Sequence, residues 1–248
     1  MPTPVLIVFD LDDTLYLERD FARSGFAAAG AWLQERAGIA GLGEVCRAFF
    51  DAGLRGRIFD EALACLGVPP DPALLEQLIS VYRSHEPDIA LAADAARYLD
   101  GRDGLVPSAL ITDGPATTQQ AKVRALGLDK RLDCIVCTGA LGPGRGKPHP
   151  EAFERVEAWA ARYGLPLAYV ADNPLKDFVT PRARGWWTVQ IERPERVHHV
   201  VAPNAAHAAH ARIASLDELD ACLARLLPID PRPVRPFPTD TSRRIPIS

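Results

Sequence analysis

The stretch VLIVFDLDDT, residues Val5–Thr14, decides how the rest of this 248-residue chain is interpreted. Its first five residues are all apolar, and they predict a strand. Asp10 and Asp12 follow, two positions apart, so their side chains point to the same side if the strand continues. Two carboxylates this close repel each other unless a cation neutralises them or one of them is protonated. Carboxylate oxygens are hard ligands of the kind that Mg²⁺ prefers. The stretch therefore predicts a metal-dependent site at the end of the strand.

Further along the chain, short apolar runs alternate with helical patterns. The predicted strands are Val5–Asp10, Pro107–Thr112, Asp133–Thr138, Ala168–Asp172 and Thr188–Ile191, and the helices that follow several of them are Ala116–Leu126, Pro150–Tyr163 and Pro174–Arg184. This alternation predicts an α/β fold with a parallel sheet covered by helices on both faces. Ligands of such sheets bind at the carboxyl ends of the strands, which is where the two acids would lie.

Residues 16–87 have few strand signals and several helical ones, and we interpret them as a helical insertion after the first strand. The predicted helices there are Phe21–Arg36, Glu44–Ala52, Phe59–Leu66 and Pro72–Arg83, and a helix at Leu91–Leu99 leads back to the sheet. The expected domains are a core of residues 1–15 and 88–227, a helical domain of residues 16–87, and a proline-rich tail of residues 228–248. The prolines of the tail exclude a regular helix or a central strand.

Three later motifs place polar side chains at predicted strand ends or helix starts. Thr112 ends one strand, and its hydroxyl could donate to a phosphate oxygen at the open edge of the sheet. Lys147 comes just before a predicted helix and can bring a compact positive charge to the site. Asp172 ends another strand and Asp177 lies five residues later, which adds carboxylates for an octahedral metal site.

In this order, these residues resemble the motifs of the haloacid dehalogenase-like (HAD) hydrolase superfamily. Its phosphatases carry a D-x-D-x-T motif, then Ser or Thr, then Lys, then an acidic pair. The resemblance extends over roughly residues 5–225 and includes a helical cap inserted after the first motif, the C1 type. It implies a Rossmann-like parallel sheet with an inserted cap domain, and Mg²⁺-dependent hydrolysis of a small-molecule phosphate monoester through an aspartyl-phosphate.

The resemblance also implies a role for each matching residue. Asp10 would be the nucleophile, and Asp12 would protonate the leaving oxygen and then deprotonate the hydrolytic water. Family members that dehalogenate lack the second acid, so Asp12 favours phosphoryl transfer. Thr112 and Lys147 would bind the phosphoryl oxygens, and we include Asp113 in this phosphate-binding set although Asn often stands there in the family.

The same resemblance implies the metal site. Mg²⁺ would be bound by the side chains of Asp10 and Asp172 and by the backbone carbonyl of Asp12, with Asp177 orienting these ligands. Ala171 replaces the glycine that usually precedes this second acidic motif, which removes no catalytic group. The substrate contacts expected in the cap are Arg23, Arg55, Arg57, Arg83 and His85, although a surface or structural role is the simpler interpretation of each.

Composition limits the partners. The net charge of −4 argues against nucleic acid or an anionic membrane, and no apolar run reaches the ~18 residues of a membrane span. The N-terminus does not resemble a signal peptide, and five cysteines, few and odd in number, fit a reducing compartment, so a cytoplasmic location is expected. The expected partner is a small phosphorylated molecule. Monomer and homodimer both remain open.

The sequence also allows two functions other than phosphate ester hydrolysis. A phosphomutase would use the same aspartyl-phosphate, and a HAD-like binding or regulatory protein would need no catalysis. A signalling receiver domain is disfavoured, because its phosphorylated Asp lies on a middle strand, whereas the acidic motif here follows the first strand. A dinucleotide-binding dehydrogenase is disfavoured because no G-x-G-x-x-G follows that strand.

Overall fold

The computed structural model describes residues 4–102 and 106–227, so the predicted tail of residues 228–248 lies outside the described residues. The described chain forms a six-stranded sheet in which every neighbouring pair is parallel. Its strands are β1 (Leu6–Phe9), β2 (Ser108–Thr112), β3 (Cys134–Cys137), β4 (Leu167–Ala171), β5 (Trp187–Ile191) and β6 (Ala211–Ile213), in the order β3-β2-β1-β4-β5-β6. The predicted α/β fold with a parallel sheet is confirmed.

Nine α-helices accompany these strands in the described ranges. They are α1 (Glu18–Ala37), α2 (Leu42–Asp51), α3 (Ile58–Cys65), α4 (Pro72–Ser84), α5 (Ala93–Gly101), α6 (Ala116–Ala125), α7 (Glu151–Ala160), α8 (Val179–Ala183) and α9 (Leu219–Leu226). By contacts the chain divides into two compact units: a core unit of Met1–Leu17 and Ala90–Ser248, and a helical unit of Glu18–Ile89. No described helix is both long enough and apolar enough to cross a bilayer.

In the core unit, β1 lies in the middle of the sheet between β2 and β4, and all four of its residues are buried. Alternate strand residues face a cluster of large side chains that includes Phe153, Trp159 and Trp186. Phe9 is in register with Leu110 of β2 and Val170 of β4. The carboxyl ends of these three strands therefore meet at one edge of the sheet, and the residues that follow them come together there.

The helical unit has a core of its own. Phe26 makes ring contacts with Phe50, Phe59 and Tyr82, with centroids 5.4–5.9 Å apart. Helices α1 and α2 approach so closely that a Cβ on Gly30 would lie 2.7 Å from the backbone nitrogen of Gly43. Aromatic packing of this kind, together with the close helix contact, makes the unit compact by itself.

Four of the expected substrate contacts have partners inside the helical unit, namely Arg23, Arg55, Arg57 and His85. Arg23 pairs with Asp51 at 3.1 Å on the surface. His85 Nδ1 lies 2.7 Å from the carbonyl of Tyr82, to which it donates, and its Nε2 lies 2.9 Å from the hydroxyl of Ser24. These contacts tie elements of the unit to one another.

The structure differs from the prediction on the carboxyl-terminal side. Strand β6 was not predicted, because three residues carry too little pattern, and α9 was not predicted although Ser215 and Glu218 form a capping box before an apolar run. The predicted helix Pro174–Arg184 is wrong in length, since α8 covers Val179–Ala183 alone. In the preceding segment, side chains take part in the backbone hydrogen bonding: Asp177 accepts from the backbone N–H of Asn173 and Asn173 accepts from that of Leu175, both at 3.0 Å.

Candidate active site

Asp10 directly follows β1 and is 3% exposed. Its backbone N–H donates to the carbonyl of Val170 at 2.9 Å, which keeps the chain alongside β4 one residue beyond the strand. Its carboxylate Oδ1 lies 2.6 Å from Nζ of Lys147. Burial raises the pKa of Asp10 to about 6, because desolvation together with the charge of Asp177 outweighs the attraction of Lys147.

Lys147 is the cation of this site, and its side chain is completely buried. Its Nζ lies 2.6 Å from Asp10, 2.7 Å from Asp177 and 3.0 Å from the hydroxyl of Tyr169. Burial opposes the ammonium charge, but Asp10 and Asp177 outweigh it and hold the pKa of Lys147 well above its usual value. The lysine is therefore a fixed positive charge between two acids.

Three carboxylates, those of Asp10, Asp172 and Asp177, form a cluster in which one oxygen from each lies within 4.8 Å of the others. Asp172 follows β4 and is 4% exposed. Burial, and then the neighbouring charge of Asp10, raises the pKa of Asp172 to about 9. Without a further cation the cluster therefore holds a proton at neutral pH, and its oxygen donors suit a hard divalent metal.

Asp12 has a different set of partners and does not belong to that cluster. Its Oδ1 accepts from Nζ of Lys122 at 2.7 Å and from the hydroxyl of Tyr16, and its Oδ2 accepts from the side-chain amide of Gln119 at 3.0 Å. Burial would raise the pKa of Asp12, but the Lys122 charge and these donors lower it. Two acids that are two residues apart each lie beside a lysine, yet their pKa values are shifted in opposite directions.

Thr112 ends β2 and is fully buried. Its Oγ1 accepts from the amide of Gln119 at 2.5 Å, so the hydroxyl proton is left for another acceptor. The next residue, Asp113, accepts from the hydroxyl of Thr138 at 2.8 Å and from the backbone N–H of Lys147 at 3.0 Å. Asp113 therefore connects the end of β2 to the loop that carries the lysine.

The structure thus brings Asp10, Lys147, Asp172 and Asp177 into direct proximity. Thr112 and Asp113 lie at the end of the adjacent strand β2, and Asp12 is directed to other partners. Sequence reasoning missed Gln119 and Lys122, which are polar residues 1% and 5% exposed on α6. Their spacing of three places them on one helix face, and that spacing was the available signal.

Sequence reasoning also missed the support of the turn after Asp12. Asp13 has a left-handed backbone (φ 53°), and its carboxylate accepts from the backbone N–H of Val197 at 2.6 Å. Arg193 donates to the carbonyl of Thr14 at 2.7 and 3.0 Å and pairs with buried Asp94 at 3.0 Å. A left-handed backbone at a residue other than glycine is maintained only where neighbouring contacts stabilise it. Here residues 193–197 supply these contacts, through the side chain of Arg193 and the backbone N–H of Val197.

The sequence model of the haloacid dehalogenase-like hydrolases matches residues 5–163. A phosphoserine phosphatase of Thermus thermophilus is 29% identical over 140 residues, which are 56% of this chain and 55% of that protein. The chain therefore matches about half the length of this curated relative.

Two solved structures share the fold. A 2-haloacid dehalogenase from Pseudomonas syringae pv. tomato DC3000 has a TM-score of 0.59 and 23% identity, covering 90% of this chain and 99% of that one. The magnesium-bound putative HAD-hydrolase YfnB from Bacillus subtilis has a TM-score of 0.62 and 21% identity, covering 89% and 99%. At these identities the likeness shows the fold alone.

Proposed function

The chain belongs to the haloacid dehalogenase-like hydrolases, and from this premise we propose that it hydrolyses a small-molecule phosphate monoester with Mg²⁺ through an aspartyl-phosphate on Asp10. The observation that carries the proposal is the separate placement of two neighbouring acids. Asp10 lies in the acidic cluster beside Lys147, whereas Asp12 is turned toward Lys122, Gln119 and Tyr16. Without metal or substrate, the pKa of Asp10 is raised and that of Asp12 is lowered, so the two acids respond differently to what binds beside them. Bound Mg²⁺ would lower the pKa of Asp10 and so favour the ionised nucleophile, whereas the phosphoryl charge would raise the pKa of Asp12 and so favour the protonated acid.

In the first step, a carboxylate oxygen of Asp10 attacks phosphorus as the ester P–O bond breaks. Asp12 gives a proton to the leaving oxygen, and the negative phosphoryl group beside it favours the protonated form that this requires. In the second step, Asp12 takes a proton from water, which attacks the aspartyl-phosphate and releases phosphate. The ammonium of Lys147 and the hydroxyl of Thr112 stabilise the charge on the phosphoryl oxygens.

The acidic cluster fits a divalent metal in its donors and its spacing. We assign Mg²⁺ to the side chains of Asp10 and Asp172 and the backbone carbonyl of Asp12, with Asp177 orienting the site through Lys147. The bound metal would neutralise the phosphoryl charge. The raised pKa of Asp172 supports the assignment, because burial and the neighbouring carboxylates outweigh the attraction of Lys147, and a divalent cation would supply the further positive charge. YfnB, which shares the fold, was solved with magnesium.

We further propose that the helical unit is the cap domain expected at residues 16–87 and that it selects the substrate. Its independent aromatic core supports this, because a unit with its own core can differ in sequence without disturbing the catalytic sheet. The name of the Thermus relative suggests a phosphorylated amino acid as one substrate to test.

Magnesium is expected to raise the melting temperature more at about pH 8.5 than at about pH 6. The pKa of Asp172 is about 9 in the folded protein and near 3.8 when unfolded, so the metal-free fold loses stability as pH rises between these values. Metal binding must displace this proton, so its affinity rises about tenfold per pH unit below that pKa. Thermal melts with and without Mg²⁺ at both pH values measure the difference.

Asp172→Asn is the matched control for this measurement, because it removes the titrating group and a metal ligand together. In that variant we expect Mg²⁺ to raise the melting temperature only slightly at both pH values. Equal shifts for the wild type at both pH values would contradict the assignment of Asp172 to the metal.

The reaction itself is tested by phosphate release from a panel of phosphate monoesters, with Mg²⁺ and with EDTA. We expect release that depends on the metal, and the ranking of esters would begin to identify the substrate. The panel includes phosphoserine, sugar phosphates and nucleoside monophosphates. Release that is unchanged in EDTA would reject the metal assignment, and no release from any ester would reject the proposed reaction.

A further inference from the structure

Three donors surround the side chain of Asp12, and two of them come from one helix. Lys122 and Gln119 are three positions apart on α6, so they share a helix face. Both are almost fully buried, at 5% and 1% exposure. A lysine and a glutamine buried on the same helix face cost free energy unless each is paired, and the shared partner here is the carboxylate of Asp12.

The two oxygens of Asp12 are not equivalent. Oδ1 accepts from Lys122 Nζ at 2.7 Å and from the hydroxyl of Tyr16. Oδ2 accepts from Gln119 at 3.0 Å. Since a carboxylate oxygen has two lone pairs, the donors among the described residues fill Oδ1 and leave one lone pair on Oδ2.

We propose that Lys122 is a positioning residue that anchors Oδ1 of Asp12, so that Oδ2 is the atom that exchanges the proton with the leaving oxygen. The inference rests on the proposed function, which makes Asp12 the acid and base. As the P–O bond breaks, the proton on Oδ2 passes to the leaving oxygen, and Oδ2 later takes a proton from water. Tyr16 anchors the same oxygen as Lys122, while Gln119 holds Oδ2 at a fixed distance.

Gln119 extends this arrangement to the phosphate-binding end of β2. Its amide nitrogen lies 2.5 Å from Oγ1 of Thr112 as well as 3.0 Å from Oδ2 of Asp12. Helix α6 thereby fixes the acid relative to the hydroxyl expected to bind the phosphoryl group. An acid placed in this way can reach the leaving oxygen without a search over side-chain rotamers.

The test compares two substrates whose leaving groups differ in their need for a proton. p-Nitrophenolate is a stable anion and departs with little protonation. The alkoxide released from glycerol 2-phosphate is strongly basic and must be protonated as it departs. For Lys122→Met we expect kcat/KM to fall about 50-fold with glycerol 2-phosphate and at most about threefold with p-nitrophenyl phosphate. The ratio kcat/KM is the relevant quantity because it reports the step in which the P–O bond breaks.

Lys130→Met is the control, since it removes an exposed lysine from the same unit, and it should change neither value. Tyr16→Phe keeps the ring and deletes one hydroxyl, and it should show the same selectivity at about fivefold. It also serves as the test variant if Lys122→Met gives no cooperative melt.

Equal losses with both esters, or no loss with either, would overturn the positioning role while leaving the proposed function intact. If the wild type releases phosphate from neither ester nor from the wider panel, the proposed function fails and this inference fails with it. A loss confined to the alkyl ester, with a normal melting temperature, supports the inference, because a purely structural role would not distinguish leaving groups.

Discussion

Asp10→Asn is expected to lower phosphate release on the order of 10⁵-fold while the protein still folds. An amide cannot attack phosphorus, and removing the nucleophile from a covalent mechanism leaves only the contribution of binding and charge. The fold should survive because Lys147 keeps Asp177 at 2.7 Å as a partner, and because the acidic cluster loses one of its mutually repelling charges.

The measurement for this variant is single-turnover and steady-state phosphate release, with a thermal melt on the same preparation. Asp100→Asn is the control, because it changes a surface acid whose partner is Arg131, and it should keep full activity. Full activity of Asp10→Asn with a cooperative melt would reject Asp10 as the nucleophile.

Lys147→Met is expected to lower the free energy of unfolding by about 3–5 kcal/mol at neutral pH without metal, and to abolish activity. The side chain of Lys147 is 0% exposed and lies between Asp10 and Asp177, which are 4% and 0% exposed. Removing it leaves two buried carboxylates without their cation. Methionine keeps much of the volume, so the loss comes mainly from the charge.

Urea denaturation of Lys147→Met and the wild type at several pH values measures this cost. The difference should shrink as pH falls through about 6, because protonation of Asp10 removes one of the unpaired charges. The double variant Lys147→Met/Asp177→Asn should recover part of the stability. Lys130→Met, on the surface, should stay within about 0.5 kcal/mol of the wild type. A Lys147→Met protein as stable as the wild type would show that the ion pairs of Lys147 with Asp10 and Asp177 do not stabilise the fold.

Local patterns were sufficient to predict the class of the fold. Five of the six described strands follow from short, mainly apolar runs, because strands buried on both faces are rich in apolar residues. The same patterns could not predict the strand order, which depends on packing between distant segments. They also overextended the helix after Pro174, where the side chains of Asn173 and Asp177 take over backbone hydrogen bonds.

The candidate site could be predicted only in part for a similar reason. Asp10, Thr112 and Asp172 are visible in the sequence because each directly follows an apolar run. Gln119 and Lys122 lie inside a polar helix, where their spacing of three indicates a shared face but does not show that this face is buried against Asp12. The contacts of Asp113 with Thr138 and with the Lys147 loop are equally invisible.

The sequence by itself determined the family, the parallel sheet and the identity of the acids at the strand ends, because these depend on neighbouring residues and on a rule about where parallel strands end. Only the tertiary structure decided which charges meet. Lys147 reaches Asp10 across 137 positions and Lys122 reaches Asp12 across 110. Electrostatic energies depend on distance and burial in space, so the different environments of the two acids exist only once the chain has folded.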